Sequence, residues 1–265
     1  LGFGVYQIEP ENAAEVIGTA LEAGFRHIDT AEMYQNEQQV GEAVKNSGIN
    51  RSQIHITSKL NNGHHEPEAA RRAFAETLEK LGDDYIDLFI IHWPLPTKYD
   101  GDFVQTWNTL LEFKKEGRAR SVGVSNFQVS HLQKLMDETG EKPSVNQIEL
   151  HPYFQNREVV QFCQDNGIAI EAWSPIAQGD VLEDAALQSI ADAHGKSAAQ
   201  VTLRWHIQHG FIIFPKSSTP ERIAENFDIF DFELSPDEMS AIDALDKGEA
   251  GRNGPNPDTF DMIPA

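Results

Sequence analysis

Short apolar segments alternate along this chain with longer stretches in which apolar residues recur every three or four positions. Recurrence at that spacing predicts amphipathic helices, as where Val16, Ile17, Ala20 and Leu21 share one face. The short segments are rich in isoleucine, valine and phenylalanine without strict alternation, which is typical of parallel strands covered on both faces. We therefore predict strands at residues 3–6, 27–30, 54–59, 86–92, 121–125, 145–150, 169–173 and 212–215.

Strands that alternate with helices over 265 residues predict an α/β fold of the (β/α)8 TIM-barrel type. A doubly wound open sheet is the alternative, but no Gly-x-Gly-x-x-Gly motif follows any predicted strand. Extra helices are expected at 184–194 and 236–245. From Asp246 onward Gly, Asn, Pro and Asp accumulate, which predicts a C-terminal tail able to lie over the barrel mouth. No linker is evident, so residues 1–265 are predicted to form a single domain.

Charge and composition exclude several classes of partner. The chain has 42 acidic and 21 basic residues, a formal charge of −21, and such a surface repels a phosphate backbone, so we expect no nucleic-acid partner. No apolar run is long enough to cross a membrane, and no basic-then-apolar leader is present. The single Cys163 excludes an internal disulfide and suits a cytoplasmic protein.

Ionisable side chains stand at the ends of three successive predicted strands. Asp29, Lys59 and His92 occupy the C-terminal ends of the second, third and fourth strands, and Tyr34 follows the second strand by one short turn. Taken singly, each has an ordinary explanation: a buried ion pair, a core histidine and a rim aromatic. Because active sites of such barrels lie at the C-terminal ends of the strands, their joint placement favours a catalytic role.

The four side chains suit proton donation to a carbonyl oxygen. A free tyrosine titrates near pH ~10, and an ammonium group within about 4–6 Å lowers that pKa. Lys59 is expected to lower the pKa of Tyr34, while Asp29 holds Lys59 in place and charged. His92 can hydrogen-bond the same substrate oxygen. The set supplies a proton but no electrons, so a cofactor must donate a hydride.

Motifs along nearly the whole chain resemble the aldo-keto reductase superfamily. They lie at residues 24–34, 56–60, 91–94, 123–127, 145–152 and 214–217. Within the superfamily, residues 172–175 and 225–232 look most like the bacterial 2,5-diketo-D-gluconate reductases. The resemblance implies a catalytic tetrad of Asp29, Tyr34, Lys59 and His92, with Tyr34 as general acid, in a monomer that binds NADPH across the barrel mouth.

The resemblance also implies which residues hold the cofactor. In order along the cofactor, these residues are expected to contact the nicotinamide carboxamide, the nicotinamide ring, the pyrophosphate, the 2′-phosphate and the adenine. They are Ser125, Asn126, Gln147, Trp173, Ser174, Gln178, Gly179, Lys216, Ser217, Ser218, Arg222, Glu225 and Asn226. Independently of the resemblance, the 215–222 segment combines two cations, hydroxyl groups and a helix start in an acidic chain, which favours phosphate binding. A solvated helix cap explains the hydroxyls but not the paired cations.

Substrate contacts are expected from Tyr6, His92, Trp93, the 61–66 loop and the tail. Relatives usually read Lys-Leu-Trp-Asn where this chain reads Lys59-Leu60-Asn61-Asn62, so the pocket should be more open or more polar.

Two histidine groups resemble metal ligands by sequence alone. His64 and His65 are adjacent in a loop, where a solvated rim is favoured over a metal site. His206 and His209 end a helix, where the helix dipole is a sufficient explanation. No metal site is predicted.

These observations predict an NADPH-dependent oxidoreductase that reduces aldehydes and ketones, including 2,5-diketo-D-gluconate or related dicarbonyls, to alcohols. Two alternatives stay open from the residues alone. One is an aldolase that uses Lys59 as a Schiff-base nucleophile. The other is a nicotinamide-binding sensor with vestigial catalysis.

Overall fold

The computed structural model describes residues 1–264. Its strands are β1 Phe3–Gly4, β2 His27–Asp29, β3 His55–Leu60, β4 Ile86–Ile91, β5 Ala119–Ser125, β6 Val145–Glu149, β7 Ala169–Trp173 and β8 Ile212–Ile213. Its α-helices are α1 Pro10–Ala23, α2 Glu37–Asn46, α3 Pro67–Leu81, α4 Phe103–Lys115, α5 Val129–Thr139, α6 Arg157–Asp165, α7 Ala185–His194, α8 Ala198–Gln208, α9 Pro220–Phe227 and α10 Pro236–Asp243.

The strands follow one another around a ring in sequence order, and each pair of neighbours from β1 and β2 to β7 and β8 is parallel. Two backbone hydrogen bonds join the last strand region to the first, from Gly2 N to Ile213 O at 2.8 Å and from Gly4 N to Pro215 O at 3.3 Å. The predicted TIM barrel is therefore confirmed, and an open sheet is excluded. Because all the strands run in the same direction, their C-terminal ends meet at one face of the barrel.

The predicted extra helices are confirmed as α7 and α10, but β1 and β8 are shorter than predicted. The prediction extended β8 to Pro215, whereas the strand ends at Ile213. Proline has no backbone N–H to donate to a neighbouring strand, and this limits the length of the ladder. The chain after β1 turns away at Tyr6, although Val5 N still donates to Asp29 O at 3.1 Å.

Apolar side chains form a large shell between the strands and the helices and a small cluster inside the ring. Leu88, Ile90 and Val145 make up the inner cluster. Gly123 lies against it, because a Cβ there would stand 2.7 Å from Val145 Cγ2 and 3.2 Å from Ile90 Cγ2. The inner cluster leaves room elsewhere in the ring for polar side chains.

The C-terminal tail crosses the barrel mouth, as predicted. Glu149 at the end of β6 accepts hydrogen bonds from Asn253 N at 2.6 Å and Gly254 N at 2.8 Å. Further along the tail, the Phe260 ring packs 4.2 Å from that of Trp93, measured between centroids. The tail thus covers part of the face where the strands end.

His206 is held differently from the sequence-based expectation. Its ring is fully buried, its Nε2 lies 2.9 Å from Pro175 O, and burial lowers its pKa to about 3. The helix-dipole explanation is therefore wrong for His206, because an uncharged ring gains little from the dipole. His209 instead pairs with Asp243 at 2.9 Å.

Among the helices of residues 1–264, none combines the length and apolarity that a membrane crossing requires.

Candidate active site

Asp29 and Lys59 form a buried ion pair at the C-terminal ends of β2 and β3. Lys59 Nζ lies 2.8 Å from Asp29 Oδ2 and donates a second hydrogen bond to Thr30 O at 2.8 Å. Burial lowers the pKa of Lys59, but the attraction of Asp29 and Tyr34 outweighs burial and leaves that pKa raised. The lysine therefore stays charged at neutral pH, as expected from the sequence.

Tyr34 lies above this pair in a short 3-10 turn, Glu32–Tyr34, that directly follows β2. Lys59 Nζ is 4.9 Å from the centroid of the Tyr34 ring. The ring centroids of Tyr6 and His92 lie 5.0 Å and 5.9 Å from that of Tyr34. The four predicted tetrad residues are therefore brought together.

The pKa of Tyr34 differs from the sequence-based expectation in its net direction. Burial raises this pKa most, and Lys59 lowers it, so the effect expected of the lysine is present. Burial and the negative charge of Asp29 outweigh the lysine, however, and the pKa of Tyr34 is raised above 10.0 overall. Tyr34 is thus protonated throughout the neutral range and can act as a proton donor.

His92 is an uncharged member of the group. Burial and the positive charge of Lys59 hold its pKa well below 6.5. Within the described residues, its buried Nδ1 has no hydrogen-bond partner. A neutral imidazole can donate one hydrogen bond to a substrate oxygen without adding positive charge.

Gln147 on β6 connects this group to a carboxyl group on β7. Its Nε2 donates to Asp29 Oδ1 at 2.8 Å and to Glu171 Oε2 at 2.9 Å. Because Asp29 is an acceptor in its ionised form, the atom that faces it must be the amide nitrogen, which settles the orientation of the amide. Gln147 Oε1 accepts no hydrogen bond from residues 1–264, so it is an available acceptor.

The other two residues expected at the carboxamide use most of their hydrogen bonds within the protein. Ser125 Oγ donates to Gln147 O at 2.7 Å, and Asn126 Nδ2 donates to His92 O at 3.0 Å. Asn126 Oδ1 accepts from Trp173 Nε1 at 2.8 Å. Their side-chain N–H and O–H groups are therefore already hydrogen-bonded. The side-chain oxygens of Ser125 and Asn126 can still accept a hydrogen bond from a ligand.

The predicted phosphate segment is exposed at the start of α9. Lys216 and Arg222 are both exposed, and neither forms an ion pair within residues 1–264. Ser217 is buried and accepts a hydrogen bond from Thr219 N at 3.0 Å, whereas Ser218 is exposed. Two uncompensated cations beside a helix N-terminus suit an anionic group.

The remaining predicted cofactor residues border the same face. The loop after β7 has left-handed backbone conformations at Ser174, Gln178 and Gly179. At the far end, the Glu225 carboxylate accepts a hydrogen bond from Ser197 Oγ, and Asn226 is half-buried. Ser174, Gln178 and Gly179 thus lie in the loop that follows the C-terminal end of β7, and Glu225 and Asn226 lie in α9, which follows β8.

The predicted substrate residues include two aromatic side chains and a polar loop. Tyr6 is 57% exposed, and Trp93 is buried beneath the tail. Glu32 Oε2 accepts from Asn61 N at 2.9 Å, and Glu32 Oε1 lies 2.7 Å from His64 Nδ1. The wall near Asn61 is therefore built of polar groups.

The adjacent histidines make separate contacts. His64 pairs with Glu32 at the rim, whereas His65 is buried and stacks on Tyr99 with centroids 5.0 Å apart. The solvated rim expected from the sequence is therefore wrong for His65, which is 1% exposed, whereas His64 does lie at the rim.

Three carboxyl groups at this face were missed by the sequence analysis: Glu32, Glu149 and Glu171. Glu171 could have been found from strand alternation, because it lies two residues before Trp173 and between the apolar Ile170 and Ala172. No local pattern distinguishes Glu32, whose partner Asn61 is 29 residues away. Glu149 lies 3.0 Å from the nearby His151, but its contacts with Asn253 and Gly254 come from the distant tail.

The site as a whole fits a nicotinamide dinucleotide. It offers an available acceptor at Gln147, an aromatic ring at Trp173 and free cations near α9. Gln147 contacts the tetrad directly, through its hydrogen bond to Asp29.

Comparison with known proteins agrees with this geometry. The family model described as "Aldo/keto reductase family" matches residues 1–247. The chain is 47% identical over 263 residues to methylglyoxal reductase DkgA of Escherichia coli (strain K12), covering 98% of this chain and 93% of that protein. It is 48% identical over 258 residues to glyoxal reductase of Bacillus subtilis (strain 168), covering 97% and 91%. A crystal structure of a Gox0644 mutant in complex with NADPH has a TM-score of 0.93 at 42% identity, covering 98% of this chain and 93% of that one.

Proposed function

The chain belongs to the aldo/keto reductase family, and from this premise we propose that it reduces small aldehydes and ketones to alcohols with NADPH. The observation that carries the proposal is the buried Asp29–Lys59 pair beneath a protonated Tyr34 at the strand ends. A phenol beside an ammonium group is suited to give a proton to a carbonyl oxygen as negative charge develops there.

Each tetrad residue has a distinct proposed role. Tyr34 donates its Oη proton to the carbonyl oxygen, and Lys59 stabilises the phenolate that this donation leaves. Asp29 fixes Lys59, and His92 orients the substrate oxygen with a hydrogen bond. Bound NADPH supplies the hydride for the carbonyl carbon.

The proposed cofactor contacts follow the mouth from β6 to α9. Gln147, Ser125 and Asn126 offer acceptors to the carboxamide, and Trp173 offers a ring face to the nicotinamide. Lys216 and Arg222 offer charge to the 2′-phosphate.

Small polar dicarbonyls are the proposed substrate class. Relatives at 47% and 48% identity bear the names methylglyoxal reductase and glyoxal reductase. The polar wall of Asn61, Glu32 and His64 favours a substrate with a second oxygen over one with a large apolar group. We also propose that the protein is a single-domain monomer and that it is cytoplasmic; the lone free Cys163 supports only the second of these.

A carbonyl panel tests the function. NADPH oxidation is followed by absorbance with methylglyoxal, glyoxal, 2,5-diketo-D-gluconate and benzaldehyde. We expect turnover with the dicarbonyls and a lower kcat/KM for benzaldehyde. Tight NADPH binding without turnover on any carbonyl would instead indicate a sensor.

A Schiff-base role for Lys59 has less support. Its ammonium group is held by Asp29 and Thr30 O, and its raised pKa keeps it protonated, whereas imine formation needs a neutral amine. Borohydride treatment with a carbonyl substrate should leave Lys59 unmodified.

Arg222→Ala should weaken NADPH binding by about 10- to 100-fold, the range for losing one hydrogen bond to a charged group. NADH binding should change little, because NADH lacks the 2′-phosphate. Fluorescence titration with both cofactors measures the two dissociation constants. Arg72→Ala, an exposed arginine on α3, is the matched control. Equal losses for the two cofactors would remove the phosphate role of Arg222.

A further inference from the structure

We propose that Glu171 is a positioning residue that holds the Gln147 amide in the orientation needed to recognise the nicotinamide carboxamide. The proposal rests on the proposed function, because it assigns a role toward the same cofactor. Glu171 hydrogen-bonds Gln147, and it acts on Asp29 and Lys59 only through its charge.

Glu171 lies inside the barrel, on the strand next to that of Gln147. It is 1% exposed, and Gln147 is 2% exposed. The register of β6 and β7 places the two residues directly side by side. Glu171 Oε2 accepts one N–H of Gln147 at 2.9 Å, while Asp29 Oδ1 accepts the other at 2.8 Å.

Two acceptors on one amide nitrogen determine the whole plane of the amide. One acceptor alone would leave the amide free to rotate about its last torsion, which is a soft one. With both N–H groups held, Gln147 Oε1 must point away from Asp29 and Glu171. A carboxamide N–H of the nicotinamide is the donor that this oxygen would meet.

Placing a carboxyl group at position 171 is energetically unfavourable. Burial raises the pKa of Glu171 to about 8, so the group is mostly uncharged at neutral pH. Its Oε1 is buried without a partner among residues 1–264. An apolar side chain would avoid both costs but would leave one Gln147 N–H without an acceptor.

The test compares NADPH with its reduced 3-acetylpyridine analogue, in which a methyl group replaces the carboxamide NH2. Wild-type protein should bind NADPH about tenfold more tightly than the analogue, the worth of roughly one buried hydrogen bond. Glu171→Leu should reduce this ratio to about threefold or less, because the Gln147 oxygen is no longer held. Dissociation constants are measured by fluorescence titration, without turnover.

Three further variants make the result specific. Glu171→Gln keeps an acceptor for Gln147 and should retain the wild-type ratio. Ile170→Val, a buried change on the opposite face of the same strand, should also retain it. Glu171→Met removes the same acceptor with a flexible side chain and replaces Glu171→Leu if that variant does not fold.

The outcomes separate the two proposals. If the wild-type protein binds neither cofactor, the proposed function fails. If the wild-type protein prefers NADPH and the Leu or Met variant keeps the same preference, the role of Glu171 is overturned while the function stands. Loss of the preference in Glu171→Gln as well would also contradict the acceptor role.

Discussion

Tyr34→Phe should lower kcat for carbonyl reduction by on the order of 10³-fold, within the range for removing a general acid, while NADPH affinity changes less than about twofold. The variant keeps the ring that packs beside Tyr6 and His92 and removes only the hydroxyl proton. Stopped-flow turnover and fluorescence titration measure the two quantities separately.

Tyr85→Phe is the matched control for this substitution. Tyr85 lies just before β4, at the opposite end of the barrel, where its ring is flanked by Arg51 and Arg120. This control should retain wild-type turnover. Normal turnover in Tyr34→Phe would refute the general-acid assignment and with it the proposed mechanism.

The pH profile of the wild-type enzyme gives a further check on Tyr34. Because the pKa of Tyr34 is raised above 10.0, the proton donor is present below that value and is lost as the pH rises through it. The alkaline decline of kcat/KM that belongs to Tyr34 should therefore lie above pH 10 and be absent from Tyr34→Phe. A decline centred well below pH 10 would mean that Lys59 lowers the pKa of Tyr34 by more than burial raises it.

Lys59→Met should reduce the free energy of unfolding by about 3–5 kcal/mol, as expected when one partner of a buried ion pair is removed. Lys59 is 1% exposed and Asp29 is 5% exposed, so the variant leaves a carboxylate buried without its counter-ion. Turnover should also fall by about 10²-fold or more, since the Tyr34 phenolate loses its stabilising charge. Urea unfolding followed by circular dichroism measures the stability.

The double variant Asp29→Asn with Lys59→Met separates stability from catalysis. Removing the Asp29 carboxylate, which has no counter-ion once Lys59 is replaced, should recover about 2 kcal/mol of the lost stability. Coupling energies between contacting residues are of this size. Turnover should remain low, because no ammonium group is restored beside Tyr34. If the double variant is no more stable than Lys59→Met, the ion pair does not account for the loss.

Much of the fold was predictable because its determinants are local. Helical periodicity, apolar strands and their alternation predicted the barrel, and the short strands β1 and β8 were the least accurate part. The strand-end positions of Asp29, Lys59 and His92 were also readable, since a strand's C-terminal end is visible in its own sequence. Parallel strands then bring such ends to the same face.

The sequence by itself determined the ring of strands and the identity of the four side chains at its mouth. Only the tertiary structure decided how those side chains are charged and what supports them. Gln147 and Asp29 are 118 residues apart in the chain and meet only because ring closure places β6 across from β2. Glu171 joins them through the same interior. The net rise in the pKa of Tyr34 also depends on the tertiary structure, because burial causes most of it. How deeply a group is buried depends on every segment that packs around it, and no single segment of the sequence contains that information.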